Sequence, residues 1–151
     1  MFSDSKIAII GSGSWATALA KILLHNVDSI NWYFRNPENI DQFNRFKHNP
    51  NYLRGVEFDT SRINFFTDIN QAVEDADIVI LAIPSAFLKD GMVDVQVDLS
   101  QKFVVSAIKG IVPEDNLIVG QYLHQYFNIP YERIGVIAGP CHAEEVALER
   151  L

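Results

Sequence analysis

Short apolar runs, separated by stretches of helical periodicity, organise this chain. Lys6–Ile10, Ile30–Phe34, Ile63–Phe66, Asp77–Ile83, Phe103–Ile108 and Arg133–Ala138 are brief, continuous and rich in β-branched or aromatic residues. They lack the polar alternation of a half-solvated strand, as parallel strands covered on both faces do. Between them, Trp15, Ala18, Leu19, Ile22 and Leu23 fall on one face of a helix. Ile69–Asp75, Ala86–Met92, Asn116–Phe127 and Cys141–Leu151 read as further helices, with Gly120 weakening the third of these. Strands alternating with helices predict an α/β fold with a doubly wound, mostly parallel sheet. One irregular stretch, from about Phe46 to Arg62, interrupts the alternation. Stretches of that length either connect elements over the surface or line sites.

The first strand runs directly into Gly11-Ser12-Gly13-Ser14-Trp15-Ala16, which opens the first helix. That order is what a dinucleotide-binding unit requires. Gly11 permits a tight turn, Gly13 lets the backbone approach a pyrophosphate, and small Ala16 lets helix and strand pack closely. The helix N-terminus adds unpaired N–H groups and a partial positive charge. The expected fold is therefore Rossmann-like.

Composition narrows the class. At 151 residues and 48% hydrophobic, the chain is expected to form one globular domain with a real core. No apolar run approaches the roughly 20 residues of a membrane span, and Met1–Ser5 lacks the regions of a signal peptide. The one cysteine, Cys141, excludes an internal disulfide and fits a reducing compartment, so a cytoplasmic protein is expected. Twelve Lys and Arg against 19 Asp and Glu give a formal charge of −7, which argues against a nucleic-acid binder. A phosphorylated ligand would then be held by helix ends and a few placed cations.

Few residues qualify. Arg35 ends the second strand about 20 residues past the glycine motif, where an acidic residue usually accepts from the adenosine ribose. An arginine there cannot accept; it pairs with a 2′-phosphate, stacks on adenine, or is simply solvated. Lys109 follows the strand Phe103–Ile108, on the edge shared by all parallel strand ends, and is either an anion-holding group or a surface lysine. Gly139-Pro140-Cys141-His142 also follows a strand and opens a helix, a second place for backbone N–H groups at that edge. Cys141 and His142 are adjacent and diverge too far to act as nucleophile and base, and Glu144 and Glu145 suit a first helical turn. His25, His48 and His124 have no metal-ligand spacing, and no metal is expected.

Taken in order, Gly11–Ala20, Asn51-Tyr52-Leu53-Arg54-Gly55-Val56, Ala76–Ser85, Ala107-Ile108-Lys109-Gly110-Ile111 and Ala138–Ala147 closely resemble the NAD(P)-dependent sn-glycerol-3-phosphate dehydrogenases. The resemblance covers nearly the whole chain and implies reversible reduction of dihydroxyacetone phosphate to sn-glycerol 3-phosphate, a precursor of glycerophospholipids. It implies NAD(P)H as cofactor, with NADP favoured by Arg35. It places Gly11, Gly13, Ser14, Trp15, Ala16, Arg35, Tyr52, Lys109 and Ala143 with the cofactor, and Lys109, Gly139 and Cys141 with the phosphorylated substrate. The chain departs from the family at Cys141, where Ser or Thr is usual and a hydroxyl hydrogen bond becomes a weak thiol one. It departs again at Arg54, where proline is commoner.

The family's second, helical domain, which carries the main catalytic lysine, has no counterpart here. The last helical pattern also stops without a capping residue. These features predict a cofactor-binding portion that does not turn over by itself, and they leave open a homodimer of the longer enzyme. Two other readings remain at this stage: another two-domain dehydrogenase acting on a hydroxy acid or sugar acid, or a stand-alone NAD(P)-sensing module.

Overall fold

A computed structural model describes residues 4–149. The chain alternates as read: β1 (Ile7–Ile10), α1 (Ser14–Leu23), β2 (Ile30–Tyr33), α2 (Pro37–Phe46), β3 (Ile63–Phe66), α3 (Ile69–Val73), β4 (Ile78–Leu81), α4 (Leu88–Met92), β5 (Phe103–Ser106), β6 (Ile111–Val112), β7 (Leu117–Ile118), α5 (Val119–Phe127), β8 (Ile134–Val136) and α6 (Ala143–Ala147). Six strands form one parallel sheet in the order β3-β2-β1-β4-β5-β8. The order runs outward from β1 in one direction and from β4 in the other. The junction between β1 and β4 is thus the switch point of a doubly wound sheet, where a crevice opens beyond the carboxyl ends of the strands.

Strand alternation divides the core in two. Ile7 and Ile9 face one side with α1, Phe43 of α2, and Val146 and Ala147 of α6. Ala8 and Ile10 face the other, with residues of α3, α4 and α5. Both faces are covered, which is why these strands read as unbroken apolar runs.

On the first face an aromatic cluster fills the space between β2, β3 and α2. Trp32, Phe34, Phe43 and Phe65 meet at centroid separations of 5.0 to 6.1 Å, mostly edge to face, and Phe58 closes it at 5.2 Å from Phe43. Such geometry suits the ring quadrupoles. Trp32 is fully buried, and its Nε1 donates to the Gly11 carbonyl at 2.7 Å, tying the cluster to the turn after β1.

Arg62 secures the other end of α1. Its guanidinium donates to the carbonyls of Leu24 and Val27 at 2.6 Å each and of Asp28 at 2.8 Å, supplying partners that a helix C-terminus lacks.

Several expectations need correction. The helix α2 has no counterpart in the sequence reading, although Asn36 caps it by accepting from the Glu38 N–H at 2.9 Å and Pro37 stands at its first turn. Asn116–Phe127 is not one helix: Leu117 and Ile118 pair with Val112 and Ile111 in a small antiparallel hairpin, and the helix begins at Val119. Lys89 latches this hairpin at 2.7 Å from Asp115, holding that carboxyl below its ordinary range. The buried run of α1 is Ala16–Ala20, while Ile22 is exposed, because α1 packs between the sheet and α6 and so buries two sides. Ser85–Phe87 forms a 3-10 turn ahead of α4, and Thr60–Arg62 another inside the irregular stretch. The final helix spans only Ala143–Ala147; Arg150 and Leu151, expected to continue it, lie outside the described residues, as does Met1–Ser3.

Replacing Trp32 by alanine empties the cluster and orphans the Gly11 carbonyl, so Trp32→Ala is expected to cost about 3–5 kcal/mol of stability. Urea unfolding measures this directly, and a loss below about 1 kcal/mol would contradict the role given to the ring.

Candidate functional site

The turn after β1 is shaped by a steric constraint. Gly11 adopts φ +120°, a conformation side chains rarely take, and a Cβ there would lie 2.3 Å from the Ala82 carbonyl oxygen. Only glycine lets the end of β1 pass this close to the end of β4. Gly13 is different. Its φ of −80° suits any residue, and a Cβ there would meet nothing within 4 Å. The open volume beside Gly13 is part of a cleft.

That cleft, of about 590 Å³, lies beyond the carboxyl ends of β1, β4 and β5. Gly13, Ser14 and Trp15 form one wall, at the start of α1. Gly13 is the N-cap residue of α1; no side chain caps the helix and its first turn carries no acidic residue. Its leading N–H groups therefore remain open to an anion, with the helix dipole behind them.

Ala82, Ile83, Pro84 and Ser85 line the cleft below β4, and Ala107, Ile108 and Lys109 below β5. Buried Ser106 shapes the latter turn by accepting from the Ile108 N–H at 3.3 Å. Gly110, at φ +97°, follows Lys109. The last wall is Cys141, His142, Ala143 and Glu144. Gly139 lies behind it at φ +142°, and its carbonyl accepts from the Cys141 N–H at 3.0 Å. The backbone bend that presents Cys141 thus depends on glycine.

Of the residues singled out from sequence, the fold brings Gly13, Ser14, Trp15, Tyr52, Lys109, Cys141 and Ala143 around one cleft. Gly11, Ala16 and Gly139 stand behind its lining as structural supports, Ala16 fully buried against the core. Arg35 does not line the cleft. It sits exposed between β2 and α2, at the carboxyl end of β2, and makes no hydrogen bond or ion pair with another described residue. The segment opening α6 is less of an anion site than expected: α6 is five residues long and its first turn carries Glu144 and Glu145, which already use the positive end of its dipole.

Sequence reasoning missed Asn49 and Thr17. Asn49 is buried, and its Nδ2 donates to the Ser12 carbonyl at 3.1 Å and to Thr17 Oγ1 at 2.9 Å. Thr17 Oγ1 in turn donates to the Gly13 carbonyl at 2.7 Å. The only local signal was the Asn49-Pro50-Asn51 sequence, which marks a turn.

Among the described residues no group of three or more His, Cys, Asp or Glu is arranged to hold a metal ion. No helix among them is long and apolar enough to cross a membrane.

The sheet order and the glycine turn at its switch point define a dinucleotide-binding fold. Comparison with known proteins narrows this further. The family model described as NAD-dependent glycerol-3-phosphate dehydrogenase N-terminus matches residues 6–151. Glycerol-3-phosphate dehydrogenase (NAD(P)+) of Ectopseudomonas mendocina is 38% identical over 141 residues, covering 93% of this chain and 41% of that protein. The enzyme of the same name from Staphylococcus epidermidis strain RP62A is 33% identical, covering 96% of this chain and 44% of its own length. Among solved structures, glycerol-3-phosphate dehydrogenase of Plasmodium falciparum superposes with a TM-score of 0.82 at 26% identity, covering 96% of this chain and 43% of that one. The chain belongs to the NAD-dependent glycerol-3-phosphate dehydrogenase N-terminal family. It spans less than half the length of the curated relatives it matches.

The two motif glycines are expected to separate on substitution. Gly11→Ala forces a main-chain collision and a disfavoured φ, and should lower stability by about 2–4 kcal/mol. Gly13→Ala should change it by no more than about 0.5 kcal/mol. Denaturant unfolding of both variants checks this, and equal effects would contradict the assignment of Gly11 to the strand junction.

Proposed function

We propose that this chain is the cofactor-binding part of an NAD(P)-dependent sn-glycerol-3-phosphate dehydrogenase, which interconverts dihydroxyacetone phosphate and sn-glycerol 3-phosphate for glycerophospholipid synthesis. The observation that carries the reading is the uncapped start of α1 facing the cleft at the sheet's switch point, with the glycine turn before it. The leading N–H groups of α1 would hold the pyrophosphate of NAD(P)H, backbone donors and dipole acting together. The net charge of −7 makes such local positive potential necessary.

Gly13, Ser14, Trp15, Tyr52 and Ala143 contact the cofactor, Gly11 and Ala16 set the turn beneath it, and Lys109 stands between cofactor and substrate. Bound in this cleft, NAD(P)H would supply the hydride that reduces the substrate's carbonyl, with a proton taken up at the oxygen. The Lys109 ammonium stabilises negative charge on the phosphorylated substrate as it enters. Cys141, presented by the bend at Gly139, borders the substrate end of the cleft, where a thiol offers only a weak hydrogen bond. Arg35, exposed beyond β2, suits the adenosine end and pairs with a 2′-phosphate, which favours NADP.

The relatives named above are more than twice as long; on this reading the main catalytic lysine and the further groups holding the substrate phosphate belong to the part of the enzyme this chain does not span. The same reading makes the enzyme cytoplasmic.

NADPH is expected to bind the 151-residue chain at least as tightly as NADH, and Arg35→Asp to weaken NADPH selectively by about tenfold or more, the worth of one charge-assisted contact. Fluorescence titration with both cofactors tests this; identical curves for wild type and variant would remove Arg35 from the site. No dehydrogenase turnover is expected from the chain alone with dihydroxyacetone phosphate and NADPH, and a measurable rate would overturn the division of labour proposed.

A further inference from the structure

The irregular stretch between α2 and β3 is tied to the glycine turn through one side chain. Asn49 is 1% exposed and uses every hydrogen-bonding position of its amide. One amide hydrogen goes to the Ser12 carbonyl (3.1 Å) and the other to Thr17 Oγ1 (2.9 Å). On the opposite side Oδ1 accepts from the backbone N–H groups of Asn51 (2.9 Å) and Tyr52 (3.2 Å). The reverse amide orientation would set NH2 against those two donors, so the assignment is fixed by its neighbours.

The chain is then completed by Thr17, whose hydroxyl donates to the Gly13 carbonyl at 2.7 Å. Two consecutive carbonyls of the turn, those of Ser12 and Gly13, are therefore pulled toward Asn49 and Thr17. A peptide carbonyl and the N–H of the same peptide plane point in opposite directions. Holding both carbonyls on the Asn49 side turns the N–H groups of Gly13 and Ser14 the other way, and Gly13 and Ser14 line the cleft. The same amide holds the backbone of Tyr52, which also lines the cleft.

We propose that Asn49, acting with Thr17, is a positioning residue for the dinucleotide: it orients the glycine-turn peptides that receive the pyrophosphate and ties the Tyr52 backbone to them. This rests on the dinucleotide-binding reading above. Neither residue touches the ligand. Their effect is preorganisation, so that a ligand meets donors already aimed at it instead of ordering them on arrival.

The test uses three substitutions and one pair in the 151-residue chain, with NADPH affinity read by fluorescence titration and folding checked by thermal unfolding. Asn49→Asp keeps the acceptor facing Asn51 and Tyr52 and places a second acceptor against the Ser12 carbonyl. Thr17→Val removes the hydroxyl at nearly constant volume. Each is expected to weaken NADPH by about tenfold, from two disturbed hydrogen bonds. Thr17→Ser keeps the hydroxyl and should stay within about twofold of wild type. Because both residues act through one shared bond, the double variant should be little weaker than either single one.

A loss in the double variant equal to the product of the two single losses would show that the two residues act independently and overturn the proposal. So would a Thr17→Ser loss matching that of Thr17→Val, or wild-type affinity in either Asn49→Asp or Thr17→Val. Wild-type chain that binds no NADPH would instead overturn the dinucleotide reading, and this inference with it. Wild-type binding with unchanged variants isolates the failure to Asn49 and Thr17.

Discussion

The approach of β1 to β4 at their carboxyl ends governs the rest of the molecule. With an added Cβ at Gly11 lying 2.3 Å from the Ala82 oxygen, the two strand ends are as close as a side-chain-free residue allows. That closeness lets α1 start immediately beyond β1 and directs its N-terminus over the crevice between the strands. Trp32 fastens the arrangement from beneath through its bond to the Gly11 carbonyl, and Asn49 with Thr17 fastens it from the side. The turn is thus held at three successive carbonyls, of Gly11, Ser12 and Gly13. A loop so constrained has little conformational freedom left to lose when a ligand arrives.

The same architecture reconciles an acidic chain with an anionic ligand. Nineteen Asp and Glu outweigh 12 Lys and Arg overall. At the cleft the balance is local: backbone N–H groups at the start of α1 have no acidic side chain in their own turn, and Lys109 lines the same cleft, with Glu144 the one carboxylate among its lining residues. Backbone donors bring no change in net charge and no side-chain entropy to lose. That is an economical way to hold a phosphate in a negatively charged protein.

Most of the sheet was legible because its signal is local. Strands buried on both faces must be apolar throughout, and Ile7–Ile10 and Ile78–Leu81 are. The glycine turn was legible because Gly11 answers a backbone demand that glycine meets best. α2 was hidden by composition: Pro37–Phe46 buries little beyond Phe43 against the aromatic cluster, so its apolar stripe is too thin to show a period. The β6–β7 hairpin was lost inside a helical pattern because Leu117 and Ile118 continue the spacing of α5. Asn49 was illegible for a deeper reason. Its partners Ser12 and Thr17 lie more than thirty positions away, and nothing in a polar residue within a loop announces that it is buried. The cleft residues split the same way: Gly13, Lys109 and the Cys141-His142 turn followed from strand ends and Ser14, Trp15, Tyr52 and Ala143 from the family resemblance, whereas the lining by Ile83, Pro84 and Ser85 emerged only from the packed fold.

The central claim is that the uncapped start of α1 is the seat of a dinucleotide pyrophosphate. An NMR titration of 15N-labelled chain with NADPH tests it most directly. The account predicts that the amide signals of Gly13, Ser14 and Trp15 shift first and furthest, with those around Lys109 and Ala143 following. Shifts centred elsewhere, such as beside Lys6 and Asp75 at the opposite ends of the strands, with the Gly13–Trp15 signals unmoved, would contradict it.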